Sequence, residues 1–265
     1  MTRQSTTSTD GTTIAYERSG AGPPLVLVHG TAADHRRWAP VLPAFEQQFT
    51  VCAVDRRGRG NSGDTAGYAA DREFDDIAAV VDSLGEPVHL LGHSYGGLCA
   101  LEAALRTRAV RSLMLYEPGI EIAGEEIYPA VTIGRLEALL AAGDRDAVVT
   151  TTMREVAGLP PQVVEQLRAQ PSWQARVAAA HTIPRELRAV KAYRFDPARF
   201  GGLQVPALLL AGGASSAAFR TTARAVDEAL SHSRLVVLPG QGHAAMDTAT
   251  DLFTTEVHRF VKELF

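Results

Sequence analysis

Short apolar runs that stop at a glycine or a polar turn recur along the chain, separated by stretches whose apolar residues repeat every three to four positions. Pro24-Leu25-Val26-Leu27-Val28 is the first continuous run, and it ends at His29-Gly30. Similar runs follow at Thr50–Val54, Val88–Leu91, Val110–Tyr116, Ala207–Ala211 and Leu235–Leu238. A strand that is apolar on both faces belongs inside a parallel sheet covered on both sides. Between the runs, Phe74, Ile77, Val80, Val81 and Leu84 line one helix face. Leu98, Leu101 and Leu105 do the same, as do Leu252, Phe253, Val257, Phe260 and Val261. The alternation predicts an α/β protein with a mainly parallel sheet and right-handed crossovers. Residues 3–18 read as a hairpin, with Asp10-Gly11 as its turn.

The rhythm breaks once. From about Gly119 to Val205 no sheet strand is legible, and apolar residues come at helical spacing: Leu136, Leu139 and Leu140; Val163, Val164 and Leu167; Leu187 and Val190. Pro160-Pro161, Pro171, Pro184 and Pro197 punctuate this interval. It reads as a helical insertion, 119–205, between the two parts of a core at 1–118 and 206–265. Leu136, Leu139, Met153, Trp173 and Phe195 supply it with apolar material for packing and for a substrate pocket.

The chain has 265 residues, enough for one large core. Its net charge of −4 offers no basic footprint for nucleic acid. Arg56-Arg57 and Arg106-Thr107-Arg108 are short runs that read as solvated loop or helix-end charges. Cys52 and Cys99 sit in apolar runs, so buried free thiols are expected, and two cysteines form neither a metal pattern nor a disulfide framework. The N-terminus is polar, and no apolar run approaches the roughly 20 residues that span a bilayer. The expectation is a soluble, cytoplasmic protein without metal, organic cofactor, nucleic-acid or membrane partner; oligomeric state is open.

Val88-His89-Leu90-Leu91 runs into Gly92-His93-Ser94-Tyr95-Gly96-Gly97, and a helix pattern follows. A strand that reverses this sharply into a helix strains its central residue, and flanking glycines remove Cβ clashes. Such a turn projects the Ser94 hydroxyl clear of the backbone and turns helix N-terminal N–H groups toward the same space, where they suit a developing oxyanion. A serine hydroxyl needs a base to attack. His243, in the glycine-rich loop after the last strand, is placed at the carboxyl edge of the sheet, where open α/β sheets bind ligands. His29 and His93 flank that edge and are expected to shape turns by hydrogen bonding. His35, His89, His181, His232 and His258 read as surface or structural residues.

These residues together resemble the α/β-hydrolase superfamily over nearly the whole chain. The resemblance rests on His29-Gly30-Thr31, on Trp38, on the loop Asp55-Arg56-Arg57-Gly58-Arg59-Gly60-Asn61-Ser62, on the Ser94 turn and on Gly242-His243. It implies an eight-stranded, mostly parallel sheet with flanking helices and a helical cap after strand six. It also implies an oxyanion hole from the backbone N–H groups of Thr31 and Tyr95.

The third member of a serine triad is a carboxylate that orients the base. In this superfamily it usually follows strand seven, but that stretch here reads Gly212-Gly213-Ala214-Ser215-Ser216, with Ser215 at the expected slot. Some members place the acid after strand six, where this chain carries Glu117-Pro118. The order Ser94, Glu117, His243 keeps the superfamily's nucleophile–acid–base sequence. Glu117 is therefore the expected acid and Asp247 the reserve. The resemblance implies a lid-bearing esterase that acts on a small ester-like molecule through an acyl-enzyme. Carbon–carbon bond hydrolases, lactonases and cofactor-free perhydrolases share these motifs, and the missing acid after strand seven also fits a non-catalytic binding protein.

Overall fold

The computed structural model describes residues 1–122, 124–170 and 172–264; Pro171 lies outside them. Eight strands form one sheet: β1 (Thr2–Thr7), β2 (Thr13–Gly20), β3 (Pro24–Val28), β4 (Thr50–Val54), β5 (Val88–His93), β6 (Val110–Tyr116), β7 (Ala207–Gly212) and β8 (Ser233–Leu238). Their spatial order is β1-β2-β4-β3-β5-β6-β7-β8. β1 and β2 pair antiparallel around the Asp10-Gly11 turn, and β2 pairs antiparallel with β4. Every pairing from β4 through β8 is parallel.

The helices are α1 (Leu42–Phe45), α2 (Ala70–Ser83), α3 (Tyr95–Ala103), α4 (Ala130–Ala141), α5 (Arg145–Thr151), α6 (Pro161–Arg168), α7 (Ser172–Ala178), α8 (Thr182–Ala192), α9 (Ala217–Ala229), α10 (Ala245–Thr248) and α11 (Thr250–Lys262). Strand pleating divides the core into two layers. Val26, Val28, Leu113 and Leu115 face Phe74 and Val81 of α2, Leu98 of α3 and Val226 of α9. Leu25, Leu27, Met114 and Leu208 face Phe45 of α1 and Phe253, Val257 and Phe260 of α11. β3 to β7 are wholly or almost wholly buried, as their continuous apolar runs predict, with Arg111 of β6 the exposed exception. β8 is different: it is the edge of the parallel part of the sheet, half-buried along most of its length, with Val237 exposed.

Between β6 and β7 the described residues carry helices α4 to α8 and no strand. Pro161 starts α6, where a missing N–H costs nothing. Leu136, Met153 and Trp173 are buried in the insertion, the Trp173 indole N–H bonds Asp146, and Phe195 stacks on Phe200 at 5.4 Å. These side chains hold the insertion together.

The reading of Arg56-Arg57 as solvated charges is overturned. Both are fully buried. Arg56 pairs with Glu73 at 2.6 Å and with Glu186 of α8 at 3.0 Å. Arg57 pairs with Asp76 at 2.7 Å and Asp10 at 2.9 Å. Arg59, buried beside them, also donates to Glu186. A buried cation requires such partners, and they come from α2, α8 and the β1–β2 turn. Glu186 thereby fastens the insertion to the loop after β4. Cys52 and Cys99 are buried and free, and burial pushes the Cys52 thiol up to about 11.

Candidate active site

β3 and β5 lie side by side, while β4 sits on the far side of β3 and β6 on the far side of β5. This is the point where strand order reverses, the place at which open α/β sheets bind their ligands. His29-Gly30-Thr31 leaves β3 there and Ser94 leaves β5. Three non-glycine residues among those described have positive φ: Ala32 at 56°, Ser94 at 56° and Glu117 at 45°. All three follow strands β3, β5 and β6 at this one edge. Each such residue stores about 1–3 kcal/mol that the surrounding structure must hold.

The Ser94 turn is held on every side. Its N–H donates to the Tyr116 carbonyl at 3.0 Å, and its carbonyl accepts from Gly97 and Gly119, both at 2.8 Å. The flanking glycines are sterically obligatory. A Cβ on Gly96 would stand 2.3 Å from the His29 carbonyl oxygen, and one on Gly92 would stand 2.4 Å from that of Gly96. The Tyr95 N–H opens α3 and so has no acceptor within the helix. Gly30 passes so close that a Cβ on it would lie 2.9 Å from Ser94 Cβ, which sets the Gly30-Thr31 backbone against the serine.

Arg56 fixes that backbone from below. Its guanidinium donates to the carbonyls of His29 at 2.8 Å and Gly30 at 3.1 Å. His29 bonds the Gly30 carbonyl through Nδ1 at 2.8 Å and accepts the Arg56 N–H on Nε2 at 3.2 Å. The pattern assigns Nδ1 as protonated. Burial, with Arg56 and Arg59 nearby, holds His29 well below the usual histidine range, so it stays neutral.

Glu117 is fully buried. One carboxylate oxygen accepts the Gly212 N–H at 2.7 Å and the other meets His243 Nδ1 at 2.5 Å. The β6–β7 register delivers this arrangement, because Tyr116 pairs with Leu210 and brings Glu117 beside the end of β7. Ser215 is buried, and its N–H turns back to the Gly212 carbonyl at 3.1 Å. Asp247 instead forms an ion pair with Arg37 at 2.6 Å.

His243 keeps 29% of its side chain exposed. Phe219 of α9 stacks on it at 4.3 Å, and the His93 ring lies 4.6 Å away. His93 Nε2–H donates to the His243 carbonyl at 2.9 Å. Burial, then the neighbouring His243, holds His93 well below the usual range, so it serves as a neutral donor. Tyr116 adds a hydroxyl that donates to Gly242 O and accepts from Ala245 N. The loop that carries His243 is thus fixed at three successive points.

Tyr128 is absent from the sequence reading. It precedes α4 and is almost wholly buried, and its hydroxyl lies in the space left by Gly119, where an added Cβ would stand 3.2 Å from the phenol oxygen and 3.2 Å from the Ser94 carbonyl carbon. Burial pushes the phenol up to about 12 against the opposing effect of Ser94. No periodicity or motif marks this position.

Asp34, His35 and Asp55 bring one ligand atom each within 4.8 Å of one another. That set closes on itself. Asp34 pairs with Arg36, and Asp55 accepts from His35 and from the Asn61 N–H. No helix among the described residues is long and apolar enough to cross a membrane.

Comparison with known proteins places this geometry in a family. A soluble epoxide hydrolase from Corynebacterium sp. (strain C12) is 36% identical over 121 residues, 44% of this chain and 42% of the relative. A pimeloyl-[acyl-carrier protein] methyl ester esterase from Aeromonas hydrophila is 40% identical over 95 residues, 35% of this chain and 36% of the relative. The chain thus matches less than half the length of either curated relative. Among solved structures, an alpha/beta hydrolase from Sphaerobacter thermophilus superposes with a TM-score of 0.84 at 37% identity, covering 97% of this chain and 100% of the other. An esterase from Rhodococcus sp. ECU1013 does so at 0.76 and 27%, covering both chains in full. Residues 25–255 match the alpha/beta hydrolase family, and the chain belongs to that family.

Proposed function

We propose that the protein is a serine hydrolase that cleaves a small-molecule carboxylic ester through an acyl-enzyme on Ser94. The observation that carries this reading is the Glu117–His243 contact of 2.5 Å at the edge where Ser94 stands on its strained turn. Glu117 holds the proton on His243 Nδ1, which leaves Nε2 as the base. His243 takes the Ser94 proton, Ser94 attacks the ester carbonyl, and the oxyanion rests on the N–H groups of Thr31 and Tyr95. His243 then gives its proton to the departing alkoxide. Water, activated by the same imidazole, releases the acid and restores the serine.

The esterases among the relatives support this reading. A relative named as an epoxide hydrolase also matches, but epoxide chemistry in this fold runs through an aspartate nucleophile, and this turn carries Ser94. The binding-only alternative drew on the missing acid after β7, and a buried Glu117 on the base weakens it. The helical insertion is read as a cap over the site. A p-nitrophenyl ester series of increasing acyl length, run with Ser94→Ala as control, tests the proposal. Turnover that peaks at one chain length and vanishes in the control is the expected result, and equal turnover in the control would refute it.

A further inference from the structure

The inserted helices carry two half-buried arginines. Arg185 of α8 has a carboxylate, Asp64, at 2.9 Å, whereas Arg176 of α7 has none within ion-pair distance among the described residues. Arg176 Nη1 donates to the Ala32 carbonyl. Its Nε and Nη2 bond no acceptor among the described residues and are not sealed from solvent, so they open on space that a ligand can enter. These two nitrogens form the edge of a guanidinium that takes a carboxylate side-on. Arg188 uses the same edge on Glu137, with both contacts at 2.6 Å.

Ala32 directly follows Thr31, the residue read as an oxyanion donor, and holds a φ of 56°. A Cβ on Gly30 would stand 2.9 Å from Ser94 Cβ. Two Cα steps of about 3.8 Å, at most about 7.6 Å, separate Gly30 from Ala32. The insertion thus brings a guanidinium within a small molecule's length of the nucleophile.

A half-buried cation without a counter-charge is costly, and burial, then Arg37, holds Arg176 below the ordinary arginine range. Asp34 and Asp247 act in its favour, but both are engaged, Asp34 by Arg36 and Asp247 by Arg37 at 2.6 Å. Three guanidiniums share two carboxylates here, and the local charge is one anion short. A planar guanidinium with one edge open fits a carboxylate in bidentate fashion. We propose that the substrate is an ester that itself carries a carboxylate, and that Arg176 binds this group while Ser94 attacks the ester carbonyl. The proposal rests on the reading of Ser94 as nucleophile and adds the class of its substrate.

Two pairs of matched esters test it. Mono-p-nitrophenyl glutarate against methyl p-nitrophenyl glutarate places the charge on the acyl side. Para-acetoxybenzoate against its methyl ester places it on the alcohol side. The ratio of charged to neutral kcat/KM is compared between the parent, Arg176→Gln and Arg176→Lys, so that intrinsic differences in ester reactivity cancel. Fluorophosphonate labelling of a sample of each protein reports on Ser94. In at least one pair Arg176→Gln should lower the ratio about ten- to a hundredfold, chiefly through KM, as loss of a charge-assisted pair implies. Arg176→Lys should restore part of it. A ratio that Arg176→Gln leaves unchanged in both pairs, whether neither ester slows or both slow alike, would overturn the proposal. An unlabelled parent would instead remove Ser94 as nucleophile, and this substrate with it.

Discussion

Glu117 leaves β6 with φ at 45°, accepts the Gly212 N–H, and gives its second oxygen to His243. A carboxylate with both oxygens committed has little freedom to turn, so it sets the imidazole's tautomer and angle together. Glu117→Gln should keep the fold and lower kcat by about 10⁴, the scale seen when the orienting carboxylate of a triad is neutralised. Steady-state kinetics on a p-nitrophenyl ester check this, with circular dichroism as the fold control; a loss of less than tenfold would take Glu117 out of the role. Ser94 and its glycines were legible in the sequence because sterics enforce them. Only glycine at position 96 clears the His29 carbonyl. Glu117 was legible from its place at the end of strand six, where some members of the superfamily carry the acid, and from its order between Ser94 and His243. Tyr128 was not, because its place depends on Glu121 and on Lys191 of a distant helix, which no local pattern encodes.

The inserted helices and the loop after β4 share one buried charge network. Glu186 of α8 contacts Arg56 and Arg59, and Arg56 carries the carbonyls of His29 and Gly30. Burial works against ionisation of Glu186, but Arg56 and Arg59 outweigh it and hold the carboxyl below its ordinary range. Glu186→Gln would leave two buried guanidiniums short of a counter-charge. It should destabilise the protein by about 3–5 kcal/mol, read as a lower urea midpoint. Hydrogen exchange should quicken in 29–32 and 182–192 together; faster exchange in α8 alone would show that the two elements are not coupled. The sequence reading missed this network because adjacent arginines look solvated when their partners lie far along the chain. The helical character of the insertion was legible, since its apolar spacing and its proline at the start of α6 act locally.

Across the whole molecule, three buried histidines set the acid limit of stability. Burial lowers His29 and His93 well below the usual range and brings His89 down to about 4. Below about pH 6.5 the unfolded chain binds protons at these positions that the folded chain refuses, so stability falls as pH drops. Each contributes a slope of about 1.4 kcal/mol per pH unit between its unfolded and folded values. His35 acts oppositely. Its hydrogen bond to Asp55 raises it, so its contribution is complete below pH 6.5 and fades above. Urea midpoints should therefore decline steeply from pH 6.5 to 5, and a flat profile over that range would mean that these histidines are protonated in the fold. The mainly parallel character of the sheet and its carboxyl-edge site were legible because the strands are short apolar runs; the order of the strands was not. The edge position of β8 was not, since Leu235–Leu238 reads as apolar as the buried strands, and only the pairing shows that β8 lacks an outer neighbour.

The proposed chemistry stands or falls with Ser94 as a nucleophile activated by His243. Intact-mass spectrometry after treatment with a fluorophosphonate tests it most directly. A nucleophilic Ser94 gives one adduct per chain, mapped to Ser94, absent in Ser94→Ala and strongly slowed in His243→Ala. No adduct on the folded protein, or an equal adduct on Ser94→Ala, would contradict it.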